Sequence, residues 1–188
     1  MTISAFYSDP HIGHANTIKY CERPFADVNE MNRELVKRYN DRISHDDVVL
    51  WLGDCFFKGD SSGYANVLSE MAGTKLLLVG NHDNSMPAMA RMGFALVLQE
   101  AVLEIRGVIC RVNHYPYKPT PIYEKPDKFA HLRPRKQPGE ILIHGHNHTK
   151  TPVNGNQINV GVDAWGYGPV YFHEVADLVD QIKQRKST

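Results

Sequence analysis

The sequence predicts an α/β fold of two β-sheets packed face to face with helices outside, and three observations predict it. The first half alternates short apolar runs with stretches of helical periodicity. The second half is mostly short strand-like runs. Five of the apolar runs end in carboxylate, amide or imidazole side chains, and three of the five place a glycine just before them. In open α/β sheets ligands sit beyond the carboxyl ends of the strands, so these runs read as parts of one site.

The first strand is Ile3–Ser8, ending at Asp9 with His11 two residues on. Pro10 turns the chain away from the sheet. A short helix over Ala15–Cys21 is broken by Glu22-Arg23-Pro24-Phe25. Asp27-Val28-Asn29-Glu30 reads as a capping box opening a longer helix, with Met31, Leu35, Tyr39 and Ile43 as its core-facing stripe. Val48–Leu52 is the second strand and ends at Gly53-Asp54. After a loop over Phe56–Gly63, Tyr64–Met71 is helical and stops at Gly73. The third strand, Leu76–Val79, is apolar throughout, the mark of a strand buried on both faces. Gly80 ends it, lets a ligand approach the backbone, and hands over to Asn81, His82 and Asp83.

A helix over Ser85–Met92 stops at Gly93. Residues 95–114 read as strands making a hairpin turned at Arg106-Gly107, the second running into His114. Further strands cover residues 141–144, 156–162 and 168–173, the first leading into Gly145-His146-Asn147-His148. A helix over Val175–Lys183 closes the chain, and Gln184–Thr188 reads as a frayed tail.

The length of 188 residues suits a single domain spanning residues 1–188. Lys+Arg and Asp+Glu number 21 each, and this balance argues against a stable nucleic-acid partner or a membrane surface. No apolar stretch approaches a membrane span, and no basic region precedes the first apolar run. Cys21, Cys55 and Cys110 are an odd set without paired spacing, which reads as reduced thiols in a cytoplasmic protein. Ten histidines, several of them at the ends of the apolar runs, lean towards metal or acid–base chemistry. Residues 115–139 hold six prolines and six Lys/Arg against two acids. This Pro-rich basic loop reads either as a lid that attracts phosphate or as a stiff solvated connection.

The ordered set Asp9-x-His11, Gly53-Asp54, Gly80-Asn81-His82-Asp83, His114 and Gly145-His146-x-His148 resembles the calcineurin-like metallophosphoesterase superfamily, whose blocks are DxH, GD, GNHD, H and GHxH. Every block matches at its ligand positions, from residue 9 to residue 148. The stretch Asp9–Phe25 looks like the opening of small, phage-type members. The resemblance implies two packed mixed β-sheets flanked by helices and a pair of divalent metal ions. Asp9, His11 and His148 then bind the first ion, Asn81, His114 and His146 the second, and Asp54 bridges both. His82 becomes the general acid beside the phosphate, with Asp83 orienting its ring.

Aspartate, asparagine and histidine without sulfur fit manganese first, and also iron, zinc or nickel. A metal-bridging hydroxide is the implied nucleophile, and the two ions neutralise the phosphoryl oxygens. Small relatives of this kind hydrolyse phosphodiesters, including 2′,3′-cyclic nucleotides, and the short chain suits a small substrate. A phosphomonoesterase or protein phosphatase, or a non-catalytic scaffold of the same fold, are the alternatives. His14 and Arg23 are further substrate-binding candidates, weighed against a helix cap for His14 and a surface ion pair for Arg23. Asn159 and Asp163 are candidates for orienting ligands from the late strands, and His144 for a strand-end or supporting role.

Overall fold

The structure is a computed structural model and describes residues 2–57, 61–119 and 127–186. Part of the loop expected over Phe56–Gly63, residues 120–126 of the Pro-rich segment, and residues 187–188 of the expected tail lie outside the described residues. In chain order the elements are β1 (Ala5–Tyr7), α1 (Ala15–Tyr20), α2 (Val28–Asn40), β2 (Val48–Trp51), α3 (Ser61–Glu70), β3 (Thr74–Leu78), α4 (Met86–Met92) and β4 (Leu96–Leu98). Then come β5 (Glu100–Ile105), β6 (Val108–Asn113), β7 (Ile141–His144), β8 (Val153–Asn154), β9 (Gln157–Asn159), a 3₁₀ turn at Val162–Ala164, β10 (Val170–Tyr171) and α5 (Phe172–Lys186).

Two mixed five-stranded sheets result, ordered β10-β1-β2-β3-β4 and β5-β6-β7-β9-β8, with helices flanking them. β1 to β4 run parallel, joined by helical crossovers, and β10 is antiparallel at the edge. The period-two pattern of these strands splits their side chains between two cores. Ala5, Tyr7, Val49, Trp51 and Leu77 pack with α2 through Met31, Leu35 and Tyr39, and with α4 through Met89 and Met92. Phe6, Leu50, Leu52 and Leu78 face the second sheet through Ile105, Cys110, Val112, Ile141, Ile143 and Ile158, and α5 adds Val175, Val179 and Ile182. The first sheet is therefore apolar on both faces, as the unbroken Leu76–Val79 run requires.

Local chemistry sets the helix starts. Asp27 accepts the backbone N–H groups of Asn29 and Glu30, both at 2.8 Å, while Glu30 reaches back to the Ala26 N–H. This resembles the expected capping box, except that Glu30 reaches Ala26, one residue before the N-cap Asp27. Ile43 is buried, as expected of the stripe, but lies beyond the end of α2.

The second half departs from expectation in four places. Leu96–Leu98 does not join the hairpin: it pairs in parallel with Leu76–Leu78 and finishes the first sheet, and the chain then changes sheets at Gln99. The hairpin proper is β5–β6, turned at Arg106 and Gly107, whose positive φ values of 50° and 74° suit a tight turn. The strand expected over residues 156–162 is confined to β9, because Asn159 Oδ1 takes the Gly161 N–H and bends the chain into the 3₁₀ turn. A short β8 pairs antiparallel with β9. Finally, α5 starts at Phe172, where Glu174 accepts the Tyr171 N–H, and it runs to Lys186 through part of the segment expected to fray. Arg106 ties the hairpin turn to α5 through Asp177 and Asp180. Among the described residues no helix is long and apolar enough to cross a membrane.

Candidate metal centre

Five strand ends deliver the predicted ligands to one place. Asp9 and His11 follow β1, Asp54 follows β2, Asn81 follows β3, His114 follows β6, and His146 and His148 follow β7. Five of these seven, Asp9, His11, Asp54, His146 and His148, have left-handed backbones with φ between 49° and 71°. Aspartate and histidine enter that region more readily than most residues, but each still costs on the order of 1 kcal/mol or more. The turns aim these side chains into the crevice at the expense of local stability.

Glycines make the convergence possible. A Cβ on Gly80 would overlap the Asp54 carboxylate and backbone, and a Cβ on Gly145 would overlap Ser8 Oγ and Asp9 Oδ2. Neither has a left-handed backbone, so these positions need room for close neighbours and not conformational freedom.

Asp54 lies at the middle. Its Oδ2 is 3.5 Å from His11 Nε2 on one side and 3.5 Å from His114 Nε2 on the other, and its Oδ1 accepts the His82 N–H at 2.8 Å. His114 Nδ1 bonds the Leu52 carbonyl at 2.6 Å, which leaves Nε2 to face Asn81 Oδ1 at 3.2 Å and His146 Nδ1 at 3.0 Å. His148 Nδ1 bonds Asp163 Oδ2 at 2.9 Å. Asp9 Oδ2 accepts the His146 N–H at 2.8 Å. Ligand atoms of Asp9, His11 and His148 lie within 4.8 Å of one another, as do those of Asp54, His114 and His146 and those of His11, Asp54 and His82.

These residues could hold divalent cations. Asp9 Oδ1 and both ring nitrogens of His11 are buried with no hydrogen-bond partner. Unpaired buried polar groups cost roughly 1–3 kcal/mol each, and a cation there would use Asp9 Oδ1 and one nitrogen of the His11 ring. Burial, and next the neighbouring rings, keeps His11 and His146 neutral, with His146 lowered to about 2, so their lone pairs are ready to bind. Burial lowers His114 as well. Burial raises Asp9, and burial with the Asp83 charge raises Asp54 to about 8, against the opposing pull of the nearby His148 ring. For His148 burial opposes the charged ring, but the bonds to Asp163 and Cys21 outweigh it and raise the pKa well above the ordinary value.

Three expectations need correction. Among the described residues Asp83 makes no bond to the His82 ring. Its carboxylate accepts three backbone N–H groups, from Asp54 at 3.0 Å, Cys55 at 2.9 Å and Gly80 at 2.8 Å, and so staples the second ligand turn to the third. Arg23 is neither a surface ion pair nor open to a phosphate. It is buried and forms a two-pronged pair with Asp163 at 2.9 Å on each prong. His14 occupies the N-cap position of α1, yet its side chain makes no capping bond; the ring packs against Phe57 and reaches the cavity.

Other positions settle plainly. Asp163 bonds the ring of His148, one of the expected ligands. Asn159 shapes its own turn and bonds the Thr149 carbonyl. His144 is buried against the Gly145 carbonyl and lowered to about 4 by burial. Reasoning from sequence missed Phe129, whose ring lies 5.5 Å from that of His146, and the Arg23–Asp163 pair, for which no local signal exists. Arg133 of the Pro-rich segment bonds Asp127 and the Pro116 carbonyl.

A cavity of about 200 Å³ opens onto the ligands and is lined by His11, Asp54, Asn81, His82, His146 and His148, with His14, Thr17, Tyr20, Cys21 and Phe129 around them. A larger, shallower hollow of about 670 Å³ between Gly155 and Arg185 shares none of these residues.

The chain matches the model of the family described as calcineurin-like phosphoesterase over residues 4–165. It is 33% identical to the gene 66 protein of Mycobacterium phage L5, with 99% of this chain and 98% of that protein covered. It is 30% identical to an uncharacterised protein of Methanocaldococcus jannaschii, with 94% and 90% covered. A crystal structure of a protein of unknown function from Aquifex aeolicus superposes with a TM-score of 0.70 at 22% identity, over 93% of this chain and 97% of that one, and shows the shared fold alone.

Proposed function

The chain belongs to the calcineurin-like phosphoesterase family, and from that premise we propose that it is a two-metal phosphodiesterase acting on small diesters. The observation that carries the reading is the cavity of about 200 Å³ at the Asp54 centre. Pockets for drug-sized ligands run to roughly 300–1,000 Å³, so a cavity of this size favours a small phosphodiester over a large ligand. Cyclic nucleotides such as 2′,3′-cyclic mononucleotides are the substrate class of choice. A single domain, a cytoplasmic setting for its free thiols and a small-molecule partner belong to the same reading.

Asp9, His11, Asp54, Asn81, His114, His146 and His148 would hold the cations, with manganese favoured and iron, zinc or nickel admissible on the same ligands. Two divalent cations, when bound, supply an activated water near neutral pH and positive charge for the phosphoryl oxygens. The neutral imidazoles and the Asn81 amide bind without cancelling that positive charge. His82, on the cavity wall and 4.9 Å ring to ring from His11, protonates the leaving alkoxide. General acid help is typically worth 100- to 10,000-fold, or roughly 3–5 kcal/mol of barrier.

The test is a substrate panel with manganese added. Cyclic nucleotides and chromogenic aryl diesters should turn over, chelator should abolish the activity, and manganese should restore it. Turnover of monoesters in preference to every diester would overturn the diesterase reading, and no turnover with metal bound would make the chain a scaffold.

A further inference from the structure

We propose that Arg23 is a positioning residue for the first cation alone, the one assigned to Asp9, His11 and His148. This inference rests on the two-cation reading above and adds a residue that touches neither substrate nor metal.

A guanidinium has five N–H groups, and Arg23 places all of them. Nε donates to Asp163 Oδ1 at 2.9 Å. Nη2 donates to Asp163 Oδ2 at 2.9 Å and to the Asp9 carbonyl at 2.8 Å. Nη1 donates to the Pro10 carbonyl at 2.8 Å and to Met31 Sδ at 3.6 Å. The two charged side chains are 0% and 1% exposed. The Tyr167 ring lies against the guanidinium, 5.9 Å from Cζ to the ring centroid.

Four of the five bonds lead to the same half of the centre, and the fifth, to Met31 Sδ, sets the guanidinium against α2. The Asp9 and Pro10 carbonyls belong to the left-handed turn that carries Asp9 and His11. Asp163 Oδ2, the oxygen that takes Nη2, also takes His148 Nδ1 at 2.9 Å and so fixes which ring nitrogen is left for a metal. One buried cation thus links all three ligands of the first ion, across a sequence separation of 140 residues to Asp163. None of the Arg23 hydrogen bonds just described reaches Asn81, His114 or His146.

Stability alone does not account for the arrangement. A buried ion pair is often matched or bettered by apolar residues of the same volume, so its retention points to geometry. A strained turn that must present two ligands at a fixed angle needs its carbonyls held from behind, and Arg23 does this from α1's C-terminal side.

The experiment is manganese binding to the whole chain, by calorimetry and by the electron paramagnetic resonance signal of a coupled pair of ions. Arg23→Lys and Asp163→Asn should weaken the first cation by about 10- to 100-fold, the usual loss on removing an outer hydrogen-bond partner, and erase the coupled-pair signal. The second cation should bind as in the wild type. Leu35→Ala, a cavity in the same helix-side core, serves as the control for general loosening and should retain the coupled pair. Equal loss of both cations in Arg23→Lys and Leu35→Ala would overturn the proposal, as would wild-type binding in both network variants. Wild-type protein that takes up no pair of ions would sink the two-cation reading itself, an outcome distinct from either. Asp163→Asn, nearly isosteric, keeps the test open if Arg23→Lys does not fold.

Discussion

The backbone N–H of His146 donates to Asp9 Oδ2 at 2.8 Å across 137 residues of sequence. That bond joins the turn after the first strand to the turn after the seventh. It also fixes one oxygen of Asp9 and leaves Oδ1 buried with no hydrogen-bond partner. The contact is close enough that Gly145, between them and His144, has no space for a side chain.

Gly145→Ala should therefore destabilise the fold without removing a ligand. The added methyl meets Ser8 Oγ and Asp9 Oδ2, and overpacking of this kind costs about 1–3 kcal/mol, a fall of roughly 2–12 °C in Tm for a chain of this size. Thermal melting of the metal-free protein measures it. An unchanged Tm would mean that the Asp9 and Gly145 turns are not packed as described.

Asp83→Asn separates the amide staple from a role beside His82. An asparagine offers one carboxamide oxygen where three N–H groups now converge, and its NH₂ faces at least one of them. Hydrogen bonds to a charged group are worth roughly 1.5–3 kcal/mol, so the Asp54 turn should loosen and both cations should bind more weakly. Metal content measured alongside turnover decides: full metal with a reduced rate would return Asp83 to the His82 ring.

His82→Gln should behave in the opposite way. Both cations should bind as in the wild type, while turnover of alkyl diesters falls by about 100- to 10,000-fold. Aryl diesters with good leaving groups need less protonation and should lose less. A fall in metal content would make His82 a ligand, a role its distance to His11 and Asp54 permits.

Cation uptake should release protons. Asp54, raised to about 8 by burial and by Asp83, holds a proton at neutral pH in the metal-free protein, as does His148 through its bond to Asp163. His11, His114 and His146 are lowered and already neutral, so they contribute none. Because the bound forms of Asp54 and His148 are deprotonated, affinity should rise with pH through about 8. Calorimetry in buffers of different ionisation enthalpy counts the protons; a count of zero at pH 7 would contradict these shifts.

The ligands were legible in the sequence because each is local: a strand, a sharp turn, and one or two side chains at its end. A short apolar run followed by Gly80-Asn81-His82 states its geometry within nine residues or so of chain. The Arg23–Asp163 bond joins positions 140 apart and leaves no periodic or motif trace at either, so a surface ion pair was the natural reading of Arg23. Asp83 was read as serving its neighbour His82, whereas its partners Asp54 and Cys55 stand 29 and 28 residues earlier. Leu96–Leu98 reads as part of a hairpin by alternation alone, and only parallel pairing with Leu76–Leu78 assigns it to the first sheet.

The most direct measurement is an anomalous difference map from crystals grown with manganese. It should contain two peaks per chain, one among Asp9, His11 and His148 and one among Asn81, His114 and His146, with the Asp54 carboxylate touching both. A single peak, or peaks that leave Asp54 uncoordinated, would contradict the two-cation centre.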